Sequence, residues 1–458
     1  MESHAYPDAQ APERVVFVVA WYPSHLLGSM GLARRLQSRG YAVEFWADRY
    51  AEPLVRAQGF AFFELKSLWH SFESFLPTGP VGTSFHIGML RSALRARRNR
   101  RRALPGALAL FERSLQKGMA RGVPRLAIFD PFLAAYHPFF KARGVRCIVL
   151  CDKPLPQYDP IVPPPVSRVV PGSHAVGRVR VAAAWARLRL HSLVQLACVR
   201  LLSLIGGYSP LQLVEAIGRR TGMRSDLQRV RRRVGYDLQF PGLEEWVLGA
   251  PETDFPRARA LPAHIRYIGP CVDLARVEVL APVGGRPADS LVYVSVGTAM
   301  PTWNSDVRLL TRILIALRDV PHLRIIVSTG NPRAREALAA CAANVEVYES
   351  VPQLGVLRQA DLAITHGGAN TFRECIATQT PLLVFPRSYD QPGNAARAVY
   401  LGIGLMGSRR FDSSSAIRGK VLRILHRESF RQRLRDLHDR VESCENRLLE
   451  RAIGHAIG

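Results

Sequence analysis

From residue 291 onward the chain settles into one rhythm. A short apolar run gives way to a polar or glycine turn, and a stretch of helical spacing follows. The runs "LVYVSVG", "LRIIVSTG", "VEVYES", "LAIT" and "PLLVF" read as strands. Helices are expected over Asp306–Leu317 and Arg333–Ala342, from about Gly368, from Pro392 and from Ser414. Strands of this kind separated by single helices cannot pair as hairpins. They predict a parallel, doubly wound α/β sheet that binds ligands at the carboxyl ends of its strands. The N-terminal half begins the same way. "RVVFVVAWYPSH" runs from a strand into a loop, "MGLARRLQSRG" has helical spacing with a glycine stop, and "YAVEFW" is a second strand. Further strands are expected at Leu126–Phe129 and Arg146–Leu150, and a helical region from about Val179 to Arg233.

A length of 458 residues exceeds one ordinary core. "PVGGRPADS", Pro282–Ser290, has linker composition. The expected division is an N-terminal domain over 1–275, a linker over 276–289 and a C-terminal domain over 290–458.

The formal net charge is +25, and 57 of the 62 basic residues are arginine. Arginine-rich codon usage, attraction to an anionic membrane and nucleic-acid binding are the competing causes. No zinc-finger, RNA-recognition or helix-turn-helix spacing accompanies the charge, so nucleic acid is not an expected partner. The seven cysteines are scattered and form no C-x-x-C pair, which points to reduced thiols rather than zinc ligands. "MESHAYPDAQAPER" lacks the basic start of a signal peptide. Leu190–Ile205 contains His191, Gln195 and Arg200 and is too polar to span a membrane. A cytoplasmic location is expected, with peripheral contact at the inner membrane face left open.

The chemistry concentrates in "ITHGGANTFREC", Ile364–Cys375. Gly367 and Gly368 let the backbone turn tightly after a strand. The helix that follows offers free N–H groups and a positive dipole end to an anion. His366 can donate to an anionic oxygen, Asn370 and Thr371 add short polar groups, and Glu374 can reach a hydroxyl pair. The motif is neither G-x-G-x-x-G nor a P-loop, and alone it could be a capped glycine turn. Three other loops leave the same sheet edge: "SVGT" (Ser295–Thr298), "VPQ" (Val351–Gln353) and "YDQPGNAAR" (Tyr389–Arg397). Together they describe a site for a nucleotide and a polyol.

Over about Leu291–Gly404 this pattern resembles the donor domain of the UDP-glycosyltransferase and macrolide-glycosyltransferase superfamily. The run from "VPQLGVLRQADLAITHGGANTFREC" to "AVYLGIG" is similar to the family signature over nearly its whole length. The resemblance implies a GT-B fold, two Rossmann-like doubly wound domains facing across a cleft. It also implies inverting sugar transfer from a nucleoside diphosphate, with no metal and no cofactor beyond the nucleotide sugar. His366 would touch the diphosphate, and Gly368, Ala369, Asn370 and Thr371 would present the helix start to it. Glu374 would bind the ribose, and Asp390 and Gln391 the donor sugar. Gly297 and Thr298 would pack near the phosphates, while Val351 and Gln353 would frame the base. Ser350 stands where many members stack a tryptophan, so uracil and thymine both stay open.

The family's first loop reads roughly G-H-x-x-P-x-L-x-L-A, and here it is "SHLLGSMGLA". His25 keeps the histidine register and becomes the candidate base, with Asp130 after "LAIF" as the carboxylate that holds its tautomer. Asp152 and Asp48 also end strands and are the weaker partners. The aromatic stretch Ser67–Leu90 could line an acceptor pocket or a packed core. The expected acceptor is a lipophilic hydroxyl compound such as a carotenoid, lipid, polyketide or macrolide-like aglycone. The alternative is a catalytically inactive relative that serves as partner or activator of another transferase.

Overall fold

The computed structural model describes residues 12–66, 104–204, 210–223, 231–232, 238–240, 242–278, 290–297, 303–338 and 342–457. Thr298, Ser67–Leu90, the arginine run Arg95–Arg102 and most of the expected linker lie outside the described residues.

The first half supplies strands β1 (Arg14–Val18), β2 (Ala42–Ala47), β3 (Ala61–Glu64), β4 (Leu126–Phe129) and β5 (Arg146–Cys151). A two-strand ribbon follows, β6 (Arg231–Arg232) and β7 (Leu238–Gln239), and then β8 (Glu244–Val247) and β9 (Ile265–Tyr267). All but the ribbon join in one sheet of order β3-β2-β1-β4-β5-β8-β9. Every pairing in that sheet is parallel. The second half supplies β10 (Ser290–Ser295), β11 (Leu323–Ser328), β12 (Val345–Tyr348), β13 (Leu362–Thr365), β14 (Leu382–Val384) and β15 (Gly404–Met406). They form a second parallel sheet, β12-β11-β10-β13-β14-β15.

Both sheets reverse their winding direction once, between β1 and β4 in the first and between β10 and β13 in the second. At such a point the loops from two adjacent strands diverge and leave a crevice beyond their carboxyl ends. Each sheet is covered on both faces. Val15, Phe17 and Phe45 face one core of the first sheet, and Val16, Val18 and Trp46 the other. This alternation follows from the period of two along a strand.

The first helix, Pro23–Gln37, begins seven residues before the helical spacing expected from Met30. Pro23 opens it, where proline's missing N–H costs nothing. Gly28 and Gly31 dilute the helical signal for a packing reason: a Cβ at Gly31 would lie 1.7 Å from the Cys271 carbonyl oxygen. The expected helical region from Val179 resolves into two helices, Ala175–Leu204 and Pro210–Thr221.

The last helix, Glu428–Ile457, ties the halves together. Leu434, Leu437 and Val441 pack into the second sheet's core, whereas Leu449, Ala452 and Ile453 pack into the first. Asp254 and Arg397 add an ion pair at 2.5 Å between the same halves. Burial works against the Asp254 charge, but Arg397, the Tyr267 hydroxyl and Arg257 outweigh it and hold the carboxyl down at about 2.

Candidate active site

Val18 of β1 and Phe129 of β4 are paired across the first switch point, so the loops leaving them start side by side. The β1 loop enters the first helix, and His25 sits in that helix's first turn rather than in a loop. Asp130 follows β4 directly. The His25 Nδ1 and the Asp130 Oδ2 are 2.5 Å apart. The other carboxylate oxygen of Asp130 accepts a hydrogen bond from the Phe132 N–H at 2.8 Å. Both oxygens are thus fixed, and the imidazole is held by the nitrogen that faces Asp130. Phe132 packs against the ring with centroids 4.8 Å apart.

Burial opposes charge on both partners. For His25 the Asp130 charge and hydrogen bond outweigh burial and raise the imidazole's affinity for a proton above its ordinary value of 6.5. For Asp130 the His25 charge and hydrogen bond, helped by the Phe132 N–H and Lys153, outweigh burial and lower the carboxyl below its usual range. The pocket beside the pair is lined by Phe17, Ser29, Leu150, Asp152 and Leu248. Asp152 Oδ1 is buried there and accepts no hydrogen bond from a described residue.

The second switch point is built likewise. Ser295 of β10 is paired with Thr365 of β13. Gly297 has φ +88°, and a Cβ on it would lie 2.7 Å from His366 Cε1. A Cβ on Gly368 would lie 2.6 Å from His366 Nε2. The His366 ring therefore occupies a slot that exists only because glycines flank it. Gly367 turns the chain with φ +84°, and Gly368 caps the helix Ala369–Ala377. The first-turn N–H groups of that helix have no intrahelical acceptor and converge where an anion would sit.

The remaining candidates surround this helix. Asn370 donates from Nδ2 to the Ser24 carbonyl oxygen at 2.6 Å, and its Oδ1 accepts from Arg373 at 2.6 Å. Glu374 is buried and engaged on both oxygens: Arg276 pairs with one at 2.8 Å, and the Gln353 amide donates to the other at 2.5 Å. Gln353 also accepts from the Tyr293 hydroxyl at 3.0 Å and donates to Thr371 Oγ1 at 3.4 Å. Val351 is buried in the core beneath. Gln391 accepts the backbone N–H groups of Arg387 and Ser388 with its side-chain oxygen. The Asn394 amide donates to Asp390 at 2.9 Å and to the Gly367 carbonyl at 2.8 Å, which fixes the Asp390 loop to the glycine turn. Burial, with Asp152 nearby, raises the Asp390 carboxyl to about 6, against the opposing pull of Lys153 and Asn394.

The structure thus gathers His25 and Asp130 on one side and His366, Gly368, Asn370 and Asp390 on the other. Val351, Gln353 and Glu374 lie together behind the helix start. Sequence reasoning missed Arg276, Arg373 and Lys153. Arg276 meets Glu374 across 98 residues of chain, a relation that no local motif announces. Lys153 stands against the Phe132 ring at 4.7 Å, and its charge acts on His25, Asp130 and Asp390.

Known proteins resemble this chain in sequence over part of its length and in fold over nearly all of it. Residues 312–444 match the family model of the erythromycin biosynthesis protein CIII-like C-terminal domain. A zeaxanthin glucosyltransferase of Pseudescherichia vulneris is 35% identical over 187 residues, 40% of this chain and 43% of that protein. An oleandomycin glycosyltransferase of Streptomyces antibioticus is 32% identical over 148 residues, 32% of this chain and 34% of that one. The chain therefore matches less than half the length of these curated relatives. The fold extends further. The solved glycosyltransferase of kitacinnamycin superposes with a TM-score of 0.65 at 20% identity, covering 98% of this chain and all of the other. The glycosyltransferase VinC, solved with dTDP, superposes with a TM-score of 0.60 at 14% identity, covering 97% and 98%. Residues 312–444 thus resemble the erythromycin biosynthesis protein CIII-like C-terminal domain, within a chain whose GT-B fold is shared along its length with solved glycosyltransferases.

Proposed function

We propose that this protein is an inverting glycosyltransferase that moves a hexose from UDP or dTDP to a hydroxyl of a lipophilic natural-product acceptor. The observation that carries the reading is the meeting of two halves: the His25–Asp130 pair stands against the glycine-capped helix start, joined to it by the Asn370–Ser24 hydrogen bond. One half has what a base needs and the other what a diphosphate needs.

With Nδ1 committed to Asp130, His25 takes a proton at Nε2. The acceptor O–H gives up that proton as its oxygen bonds to the anomeric carbon. The bond from that carbon to the diphosphate oxygen breaks, and the nucleoside diphosphate leaves with the electron pair. Negative charge grows on the leaving phosphate, where the helix start at Gly368 and the imidazole of His366 lie preorganised. No metal is required in this scheme. Attack opposite the leaving group inverts the anomeric centre. Glu374 binds the ribose, Asp390 and Gln391 the sugar, Val351 and Gln353 frame the base, and Gly297 flanks the phosphates.

The matching relatives include proteins named for a carotenoid and for a macrolide, which supports a lipophilic acceptor. A solved neighbour binds dTDP, which supports a nucleoside diphosphate donor. Work on the cytosolic side, in peripheral contact with a membrane, fits those two substrates.

The test incubates the purified protein with UDP-glucose and dTDP-glucose and a panel of hydroxylated carotenoids and macrolide aglycones. Product mass and the anomeric NMR coupling report transfer and its stereochemistry. Inverted product that disappears in His25→Ala supports the reading. Tight nucleotide binding without transfer or donor hydrolysis overturns it in favour of an inactive partner protein.

A further inference from the structure

The helix Ala175–Leu204 carries two apolar faces where a surface helix needs one. Val181, Trp185 and Leu188 are buried and dock it onto the preceding loop, with the Trp185 indole donating to the Val162 carbonyl at 2.8 Å. A second series is exposed to solvent: Val176, Val179, Leu190, Leu193 and Val194 are 54–67% accessible. Ala183, Ala186 and Ala197 are exposed as well. Positions 176, 179, 183, 186, 190, 193 and 197 alternate steps of three and four, so they form one continuous stripe. At about 100° per residue the stripe lies on the side opposite the docked face.

Charge frames the stripe. On the same helical count Arg178 and Arg189 fall along one edge, and Arg180 and Arg187 along the other. All four are exposed. Arg189 stacks on Tyr158 at 5.0 Å. Arg178, Arg180 and Arg187 form no ion pair with a described carboxylate. None could come from nearby sequence, because no aspartate or glutamate occurs between Asp159 and Glu215. Among the described residues no helix is long and apolar enough to cross a membrane.

We infer that this face is an interfacial membrane anchor, with the stripe seated among acyl chains and the arginines at the level of anionic lipid headgroups. An apolar stripe between two cationic edges is the pattern of a helix that lies in the bilayer interface. A second copy of the chain fits worse, since pairing two such helices sets arginine rows together with no carboxylate to neutralise them. A nucleic-acid backbone would engage the arginines but leave the valines and leucines without a partner. The inference deepens the functional reading by naming the place where a lipophilic acceptor is met. Its test needs no catalysis.

The experiment is flotation with phosphatidylcholine vesicles, with and without phosphatidylglycerol, at low and raised salt. The protein is expected to float with the anionic vesicles and to be released by salt as charges are screened. Arg180→Ala/Arg187→Ala should weaken partitioning about fivefold for each charge removed. Leu190→Asp/Leu193→Asp should abolish it while far-UV circular dichroism stays unchanged. Transfer to a water-soluble acceptor should be unaffected in both variants. Absence of flotation with either vesicle, equal flotation with both, or wild-type flotation by both variants overturns the anchor. So does lipid-free dimerisation that Leu190→Asp/Leu193→Asp abolishes, which would assign the stripe to a second copy. Flotation without any sugar transfer would sink the enzymatic reading and leave the anchor standing.

Discussion

Asn370, in the first turn of the helix Ala369–Ala377, donates a hydrogen bond to the carbonyl of Ser24, the residue before His25. This contact joins the two halves of the site directly. It is possible because Gly28 has no side chain: a Cβ there would lie 2.9 Å from Asn370 Oδ1. Asn370→Ala should release the contact. One net hydrogen bond is worth about 0.5–1.5 kcal/mol, so turnover should fall by roughly two- to tenfold. Nucleotide affinity, measured by calorimetry, should fall less than turnover. An affinity loss larger than the turnover loss would make Asn370 a donor ligand rather than a link between halves.

His25→Ala should lower transfer by about 10²–10⁴-fold, the range for a missing general base. Asp130→Asn tests the pair by pH. The base must be neutral to accept a proton, so kcat/KM should rise with pH along an acid limb whose midpoint lies above 6.5, where His25 is displaced by Asp130. Asn at 130 removes the charge that raises it, and burial then works unopposed by that charge. The midpoint should move down while the plateau falls. A midpoint that stays put in Asp130→Asn would mean another group titrates.

The strands of both sheets that flank the switch points were legible because each is a short β-branched run between turn residues. His25 was singled out by its register in the resembling first loop and Asp130 by its place at the end of a strand, and the structure brings the two side chains together. Strands β3 (AFFE), β8 (EEWV), β9 (IRY) and β15 (GLM) were not read: at three or four residues they match β4, β13 and β14 in length, but a charged residue or a glycine breaks the apolar run in each. The early start of the first helix was hidden by Gly28 and Gly31, which serve contacts with distant chain rather than helix propensity. The ion pair of Glu374 with Arg276 was hidden by its span. Local pattern carries the sheet and its edge, but only the folded chain shows which charges share a pocket.

Arg276 bridges Glu374 and Glu278 at 2.8 and 3.0 Å, and all three are largely buried. Glu374→Ala leaves Arg276 with Glu278, so its structural cost should be modest. Its main effect should be loss of about 1.5–3 kcal/mol in nucleotide binding, the value of a hydrogen bond to a charged group. Arg276→Ala instead strands a buried carboxylate and should destabilise the fold by about 3–5 kcal/mol. Urea unfolding and calorimetry on the two variants separate the roles. Equal destabilisation with unchanged nucleotide affinity would make Glu374 structural.

Asp390 supplies a pH signature of its own. Burial raises its carboxyl to about 6, whereas its ordinary value is 3.8. As a carboxylate it can accept two sugar hydroxyls; protonated, it loses charge and one acceptor position. The donor KM should therefore rise as pH falls through about 6, and Asp390→Asn should hold a high KM at every pH. The stability sign runs the other way. The native state keeps this proton to a higher pH than the unfolded chain does, so Asp390 favours folding at low pH. That contribution is lost as pH rises from the unfolded value of 3.8 through about 6. Urea unfolding of the wild type against Asp390→Asn, at about pH 4.5 and about pH 7, should show the variant gaining relative stability at the higher pH. A pH-independent difference, together with a flat donor KM in the wild type, would mean that Asp390 is ionised throughout and does not control donor binding.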